Sequence, residues 1–258
     1  MSLQKLLWAA MALCVTAGVA LADPMRTVFT KENKFPGAMG WDLSLSAGGT
    51  SYQGDVPADD VSTYFVAPGV RFGLTDRVAL LAEVPYVGRS TDAEDNSGLG
   101  DVSLGMEFLF FEDIFEYAWI IPHATAILPT GDEDDGLGAG EGQGRFGLSV
   151  GTTTMDVLHW GLDVSYTVNG AMVVDEDESD DLVSGAFSLM WDLDEKSSIL
   201  GEVQARDDAV EEDDDFALLA HAGMAYKINK RFTLMGYVGT GSGIEEDFYG
   251  MGRLVCSF

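Results

Sequence analysis

The sequence predicts an all-β protein, a transmembrane antiparallel up-and-down β-barrel of 12 strands. Three observations predict it. From residue 38 onward apolar residues recur with period 2, not 3.6. The connections between these runs alternate strictly between short and long. Of the 43 Asp and Glu residues, 27 fall in the six long connections, residues 48–61, 88–98, 129–144, 169–181, 206–215 and 240–247.

Composition removes other classes. The 258 residues carry 14 Lys plus Arg against those 43 acids, a formal net charge of −29. A nucleic-acid binder needs a basic patch, so no nucleic-acid partner is expected. At 47% hydrophobic, the chain is too apolar for a disordered acidic polymer. Two cysteines exclude a disulfide scaffold and a Cys-rich zinc site. No cofactor is implied.

Residues 1–22 read as a secretory signal peptide. Lys5 supplies the positive start, Leu6 to Leu21 is uncharged and apolar, and Ala20-Leu21-Ala22 is a cleavage site. Cys14 would leave with it, which leaves Cys256. Residues 23–37 then form a periplasmic N-terminal segment, and 38–258 the barrel. No later stretch approaches 18 uncharged apolar residues, so no transmembrane helix is expected.

The strands follow in order. Trp41, Leu43 and Leu45 alternate with polar residues in the first, and Tyr64, Val66, Val70 and Phe72 in the second. Val78 to Tyr86 make the third. In the fourth, Val102, Leu104, Met106, Phe108 and Phe110 oppose Asp101, Ser103, Gly105 and Glu107. Ala118 to Leu128 give the fifth, Phe146 to Val150 the sixth, and Leu158 to Tyr166 the seventh. Val183 to Trp191, Ile199 to Ala205, Phe216 to Tyr226, Phe232 to Val238 and Phe248 to Phe258 complete the set. Runs nine and eleven are the weakest, which allows 10 to 14 strands. One face of every run is free of charge. A strand sends alternate residues to opposite faces, so that face meets an apolar medium.

Short turns on one rim and long loops on the other are the pattern of a bacterial outer-membrane barrel, with both termini on the periplasmic side. A soluble β-barrel or sandwich would alternate too. Its polar face would meet water, whereas the polar faces here are rich in Gly, Ser and Thr and poor in charge. Trp41, Trp160 and Trp191 near run ends suit interfacial aromatic girdles.

The polar faces nominate the lumen lining: Asp42, Arg71, Arg77, Glu83, Asp101, Glu107, Arg145, His159, Asp163, Glu202, Arg206 and His221. Such charges can line a narrow pore or pair and plug it. The acidic loops hold weak candidates for a hard divalent cation, Asp132, Asp134, Asp213 and Asp215, without the spacing of a calcium loop. His159, Asp163 and Ser165 share one strand face, but residues two apart rise about 6.6 Å. A hydrolase would therefore need a His–Ser or His–carboxylate contact across strands, and no enzymatic activity is expected.

Phe258 ends the last apolar stripe. It resembles the terminal aromatic that the assembly machinery of outer-membrane barrels recognises. Three further motifs carry a family resemblance: Gly98-Leu99-Gly100-Asp101, Pro129-Thr130-Gly131-Asp132 and Gly73-Leu74-Thr75-Asp76-Arg77. Over roughly residues 38–258 the chain resembles the transporter-like outer-membrane barrels of the MetA-pathway of phenol degradation family. The resemblance implies passive passage of small solutes, with hydrophobic or aromatic compounds as the class the name suggests. The alternative is a non-conducting surface barrel whose acidic extracellular loops bind cations or a partner. Either barrel has outer-membrane lipid and the assembly machinery as partners. The sequence leaves the substrate and the oligomeric state open.

Overall fold

The computed structural model of the chain describes residues 24–52, 60–91, 94–114, 118–170, 181–207, 216–242 and 248–258. The signal-peptide expectation and the loop residues Asp213 and Asp215 lie outside the described residues. Fifteen β-segments are described. They are β1 (Trp41–Tyr52), β2 (Val61–Thr75), β3 (Val78–Glu83), β4 (Tyr86–Thr91), β5 (Asp95–Leu99), β6 (Val102–Phe108), β7 (Phe111–Ile114) and β8 (Ala118–Leu128). There follow β9 (Gln143–Thr154), β10 (Leu158–Val168), β11 (Leu182–Asp192), β12 (Ser197–Asp207), β13 (Phe216–Lys227), β14 (Phe232–Ser242) and β15 (Phe248–Ser257).

All pairings are antiparallel, and β1 pairs with both β2 and β15, so the sheet closes on itself. A closed barrel leaves no free edge along the ring, which is the condition for crossing hydrocarbon. The ring has 12 staves. β3 and β4 form one stave, broken at Val84-Pro85, and β5 and β6 form another, broken at Gly100-Asp101. β7 is a short arm pairing only with β8.

Both breaks have local causes. Pro85 has no N–H to give the ladder. Across from it, Tyr86 pairs with Leu99 while Glu83 pairs with Ser103, a shift of one residue. That shift is a bulge, and a one-residue slip flips every later side chain to the other face. Asp95, Ser97 and Leu99 face outward in β5, whereas Leu104, Met106 and Phe108 do so in β6. The run expected from Val102 keeps its alternation, whereas the stretch 88–98, expected as a long connection, carries parts of β4 and β5.

The apolar faces point out. Leu104, Phe146, Val164, Met224 and Val238 are all exposed, Val164 at 62%. Side chains of this kind on the outside of a closed barrel form a lipid-facing band. Trp41, Trp191 and Tyr226 mark the short-turn rim, and Tyr64, Tyr86, Phe146, Tyr166 and Phe248 the long-loop rim. These are the two aromatic girdles.

Candidate functional site: a lumen crossed by the N-terminal segment

The sequence reading left residues 23–37 in the periplasm. In the structure residues 24–35 fold back into the barrel and are largely buried there. The chain enters at the short-turn rim. Met39 N–H donates to the Gly73 carbonyl (2.7 Å), Gly73 N–H to the Gly40 carbonyl (2.9 Å), and Ala38 N–H to Asp76 Oδ1 (2.8 Å). A Cβ on Gly73 would stand 1.8 Å from the Gly37 carbonyl oxygen. The glycine of the Gly73–Arg77 motif is thus required by the crossing segment.

Three barrel carboxylates, Glu202, Glu107 and Asp192, hold that segment. Glu202 accepts the backbone N–H groups of Val28 (2.7 Å), Phe29 (3.1 Å) and Thr30 (3.3 Å), and a hydrogen bond from His221 Nε2 (2.9 Å). Glu107 pairs with Lys31 (3.1 Å) and with Arg71 (2.7 Å). Arg71 also donates to the Lys34 carbonyl and lies over the Phe35 ring, 4.8 Å from its centroid. Asp192 pairs with Arg26 (2.6 Å), which Glu32 clasps from within the segment (3.0 Å). Thr30 Oγ1 meets Ser188 Oγ at 2.7 Å.

Apolar packing supports these bonds. Phe35 joins Ala79, Leu109, Trp119 and Ile121 in one buried cluster. Val28 packs on a second, of Met190, Leu200, Ala225, Met235, Tyr237 and Val255. Trp119, Ile121, Met190 and Met235 are inward-facing residues on staves whose lumen face was expected to be polar. They are apolar because they meet the segment and each other rather than water.

Among the described residues, two cavities flank the segment. An upper one of about 420 Å³, toward the long loops, is lined among others by His123, Arg145, Asp163, Ser165, Arg206 and Tyr249. A lower one of about 220 Å³ is lined among others by Asp42, Arg71, Glu83, Ser103 and Arg253. Val28, Lys31 and Thr125 line both.

Of the residues nominated for the lumen, Asp42, Arg71, Glu83, Glu107, Arg145, Asp163, Glu202, Arg206 and His221 line it or its cavities. His159 sits near the short-turn rim, between Thr153 and Asp192. Two belong elsewhere. Arg77 is exposed in the turn between β2 and β3. Asp101 sits in the bulge and accepts backbone N–H groups from Thr130 (3.1 Å), Gly131 (2.9 Å) and Ala139 (2.8 Å). Thr130 Oγ1 returns a bond to the Gly100 carbonyl (2.8 Å) and accepts from Val102 N–H (2.9 Å). The Gly98–Asp101 and Pro129–Asp132 motifs are therefore one device, fastening the 129–142 loop beside β5. Asp132 Oδ1 accepts from Asp134 N–H, a turn contact, and among the described residues no group of three metal-ligating side chains gathers. Phe258 exchanges backbone hydrogen bonds with Trp41 at the closure of the ring.

The sequence reading overlooked Arg26, Phe29, Thr30, Lys31 and Glu32. A signal was present. The stretch 24–40 holds three of the chain's 14 cations and one acid, an inverted balance in a protein of net charge −29.

All three histidines contact carboxylates across strands. His123 Nε2 and Ser149 Oγ both bond to Asp163 Oδ2, so the hydroxyl is on the acid, not on the base. His221 lies between Glu202 and Tyr249. His159 has Thr153 Oγ1 on Nδ1 (2.8 Å) and Asp192 on Nε2 (2.8 Å), the order a nucleophile needs. The space beside it is about 10 Å³, room for a water but not a substrate. These contacts orient side chains within the lumen.

The fold is shared with solved channels at low identity. An outer membrane channel from Pseudomonas putida F1, described as COG4313, has a TM-score of 0.69 at 15% identity, over 92% of this chain and 99% of that one. The KdgM porin gives 0.57 at 11%, over 84% and 99%. The Pseudomonas putida toluene transporter TodX gives 0.51 at 9%, over 90% and 95%. No curated protein matches the sequence. The family pattern described as "Putative MetA-pathway of phenol degradation" matches residues 26–252, from the lumen segment to the last stave, and the chain belongs to that family.

Proposed function

We propose that this protein is an outer-membrane channel in which small solutes diffuse past its own N-terminal segment. The observation that carries this reading is the pair of cavities in series. The upper and lower spaces share Val28, Lys31 and Thr125, so the neck between them lies beside the segment. Lys31 at that neck is held by Glu107 at 3.1 Å, a contact that one side-chain rotation relaxes. Passage is then passive, and selectivity comes from the groups lining the two chambers. The family's name and the toluene transporter among the fold relatives support hydrophobic or aromatic solutes as the class. No catalytic step is part of this reading.

Single-channel recording of the refolded protein in a planar bilayer tests it. Small, discrete steps are expected, since the segment occupies most of the lower lumen. Silence from a barrel shown to be folded by heat-modifiable gel mobility overturns the reading. It would leave the long acidic loops as the working surface.

A further inference from the structure

We propose that Arg145 and Arg206 form a subsite for the oxyanion group of a small organic acid in the upper chamber. The proposal deepens the channel reading and rests on it for the solute's route.

Arg145 is on β9 and Arg206 on β12, with β10 and β11 between them. Strands lie about 4.8 Å apart, so the two backbones are separated by roughly 14 Å. Both side chains line the same cavity. The wall between them carries the hydroxyls of Ser165, Thr167 and Ser184. Arg145 pairs with Thr167 in register, and Arg206 with Ser184.

Elsewhere in the lumen Arg26 is locked to Glu32 and Asp192, Arg71 to Glu107, and Arg253 donates to Ser46 Oγ beside the lower cavity (3.1 Å). Arg145 has a hydrogen bond to Thr167 Oγ1 (3.2 Å), and among the described residues neither it nor Arg206 makes an ion pair. In a chain with 43 acids and 14 cations, two arginines on one cavity wall with no ion pair among the described residues stand out. Asp163, in the lining of the same cavity, already serves His123 and Ser149. Two like charges at one cavity repel, and an anion between them removes that cost. The planar guanidinium fork matches a carboxylate or phosphate.

The rest of the chamber points to an organic anion. Phe29, Leu182, Leu219 and Tyr249 add apolar surface to the same chamber. Ring and acid group can therefore be met together within about 420 Å³.

The test is calorimetric titration of the refolded protein with benzoate, benzamide and inorganic phosphate, with bilayer recording on the same preparation. Benzoate is expected to bind at least tenfold more tightly than benzamide and than phosphate. Arg145→Gln and Arg206→Gln should each weaken benzoate binding, and the double variant should bring it to the benzamide level, with heat-modifiable mobility retained. Equal binding of benzoate and benzamide overturns the subsite. Phosphate binding as tight as benzoate overturns its organic character. Calorimetry does not depend on conduction, so a silent barrel that binds benzoate supports the subsite while the channel reading fails. A conducting barrel indifferent to charge does the reverse.

Discussion

Glu202→Ala is the perturbation that should most change how the segment sits. The carboxylate is 1% exposed and gathers three backbone N–H groups from residues 28–30 and the His221 ring. Hydrogen bonds to a charged group contribute about 1.5–3 kcal/mol each, and removing one partner of a buried charged set costs about 3–5 kcal/mol. These terms overlap and water enters the vacated space, so the lower range applies. At about 1.4 kcal/mol per tenfold, docking of the segment should weaken roughly 10²- to 10³-fold. Asp192, Glu107 and the Phe35 cluster still hold the segment, so the variant should sample an undocked state without losing the barrel. Recorded in a planar bilayer, it should add larger, longer openings to the small wild-type steps, and the 24–37 stretch should become sensitive to added protease. Glu202→Gln, which keeps the shape and one acceptor oxygen, should fall between. Wild-type step sizes, lifetimes and protease resistance in Glu202→Ala would falsify the claim that this carboxylate anchors the segment.

Other outcomes follow from the same structure. Leu104→Arg puts a charge on an outward side chain that is 47% exposed to lipid, and should destabilise the refolded barrel by about 2–4 kcal/mol in a lipid-vesicle unfolding titration; unchanged stability would mean the faces are assigned the wrong way round. Asp101→Ala strips three backbone N–H groups of their acceptor, so limited proteolysis should cut within 129–142 while the barrel core resists; an uncut loop would show that Asp101 does not fasten it. Backbone N–H groups of Lys196 and Ser197 hold the Asp194 carboxyl below the usual aspartate range. Its folded pKa is lower than its unfolded one, so the turn's protection is complete above the ordinary aspartate range and declines as pH falls through the lowered value. Hydrogen exchange at the Lys196 and Ser197 amides, corrected for intrinsic rates, should show that loss in acid, and should show it at neutral pH in Asp194→Ala.

The barrel was legible because a membrane imposes a strict rule on one face. Every stave had to carry Leu104-like residues at alternate positions, and period 2 is readable without a partner in view. The lumen was legible only in part. Its charges were found on the polar faces, as at Glu107 and Glu202, but partners of these two come from residues 28–31, a stretch with no period of its own. Trp119 and Ile121 were hidden because they are apolar on the inner face, where they meet Phe35. Asp101 looked like a lumen residue by parity, and the one-residue bulge beside it turned it toward the 129–142 loop. Arg77 was misplaced for a simpler reason. The stave begins at Val78, so the residue before it belongs to the turn.

The central claim is that solutes pass beside a docked segment, and a disulfide between segment and wall tests it most directly. Thr30 and Ser188 bring their hydroxyl oxygens to 2.7 Å, and both are buried. Thr30→Cys with Ser188→Cys in a Cys256→Ala background should therefore close a bridge on refolding. In one bilayer, the oxidised protein should conduct with the small wild-type step, and reduction should leave that step in place. Silence when oxidised, with conduction appearing only after reduction, would contradict the account, because passage would then require the segment to leave the lumen.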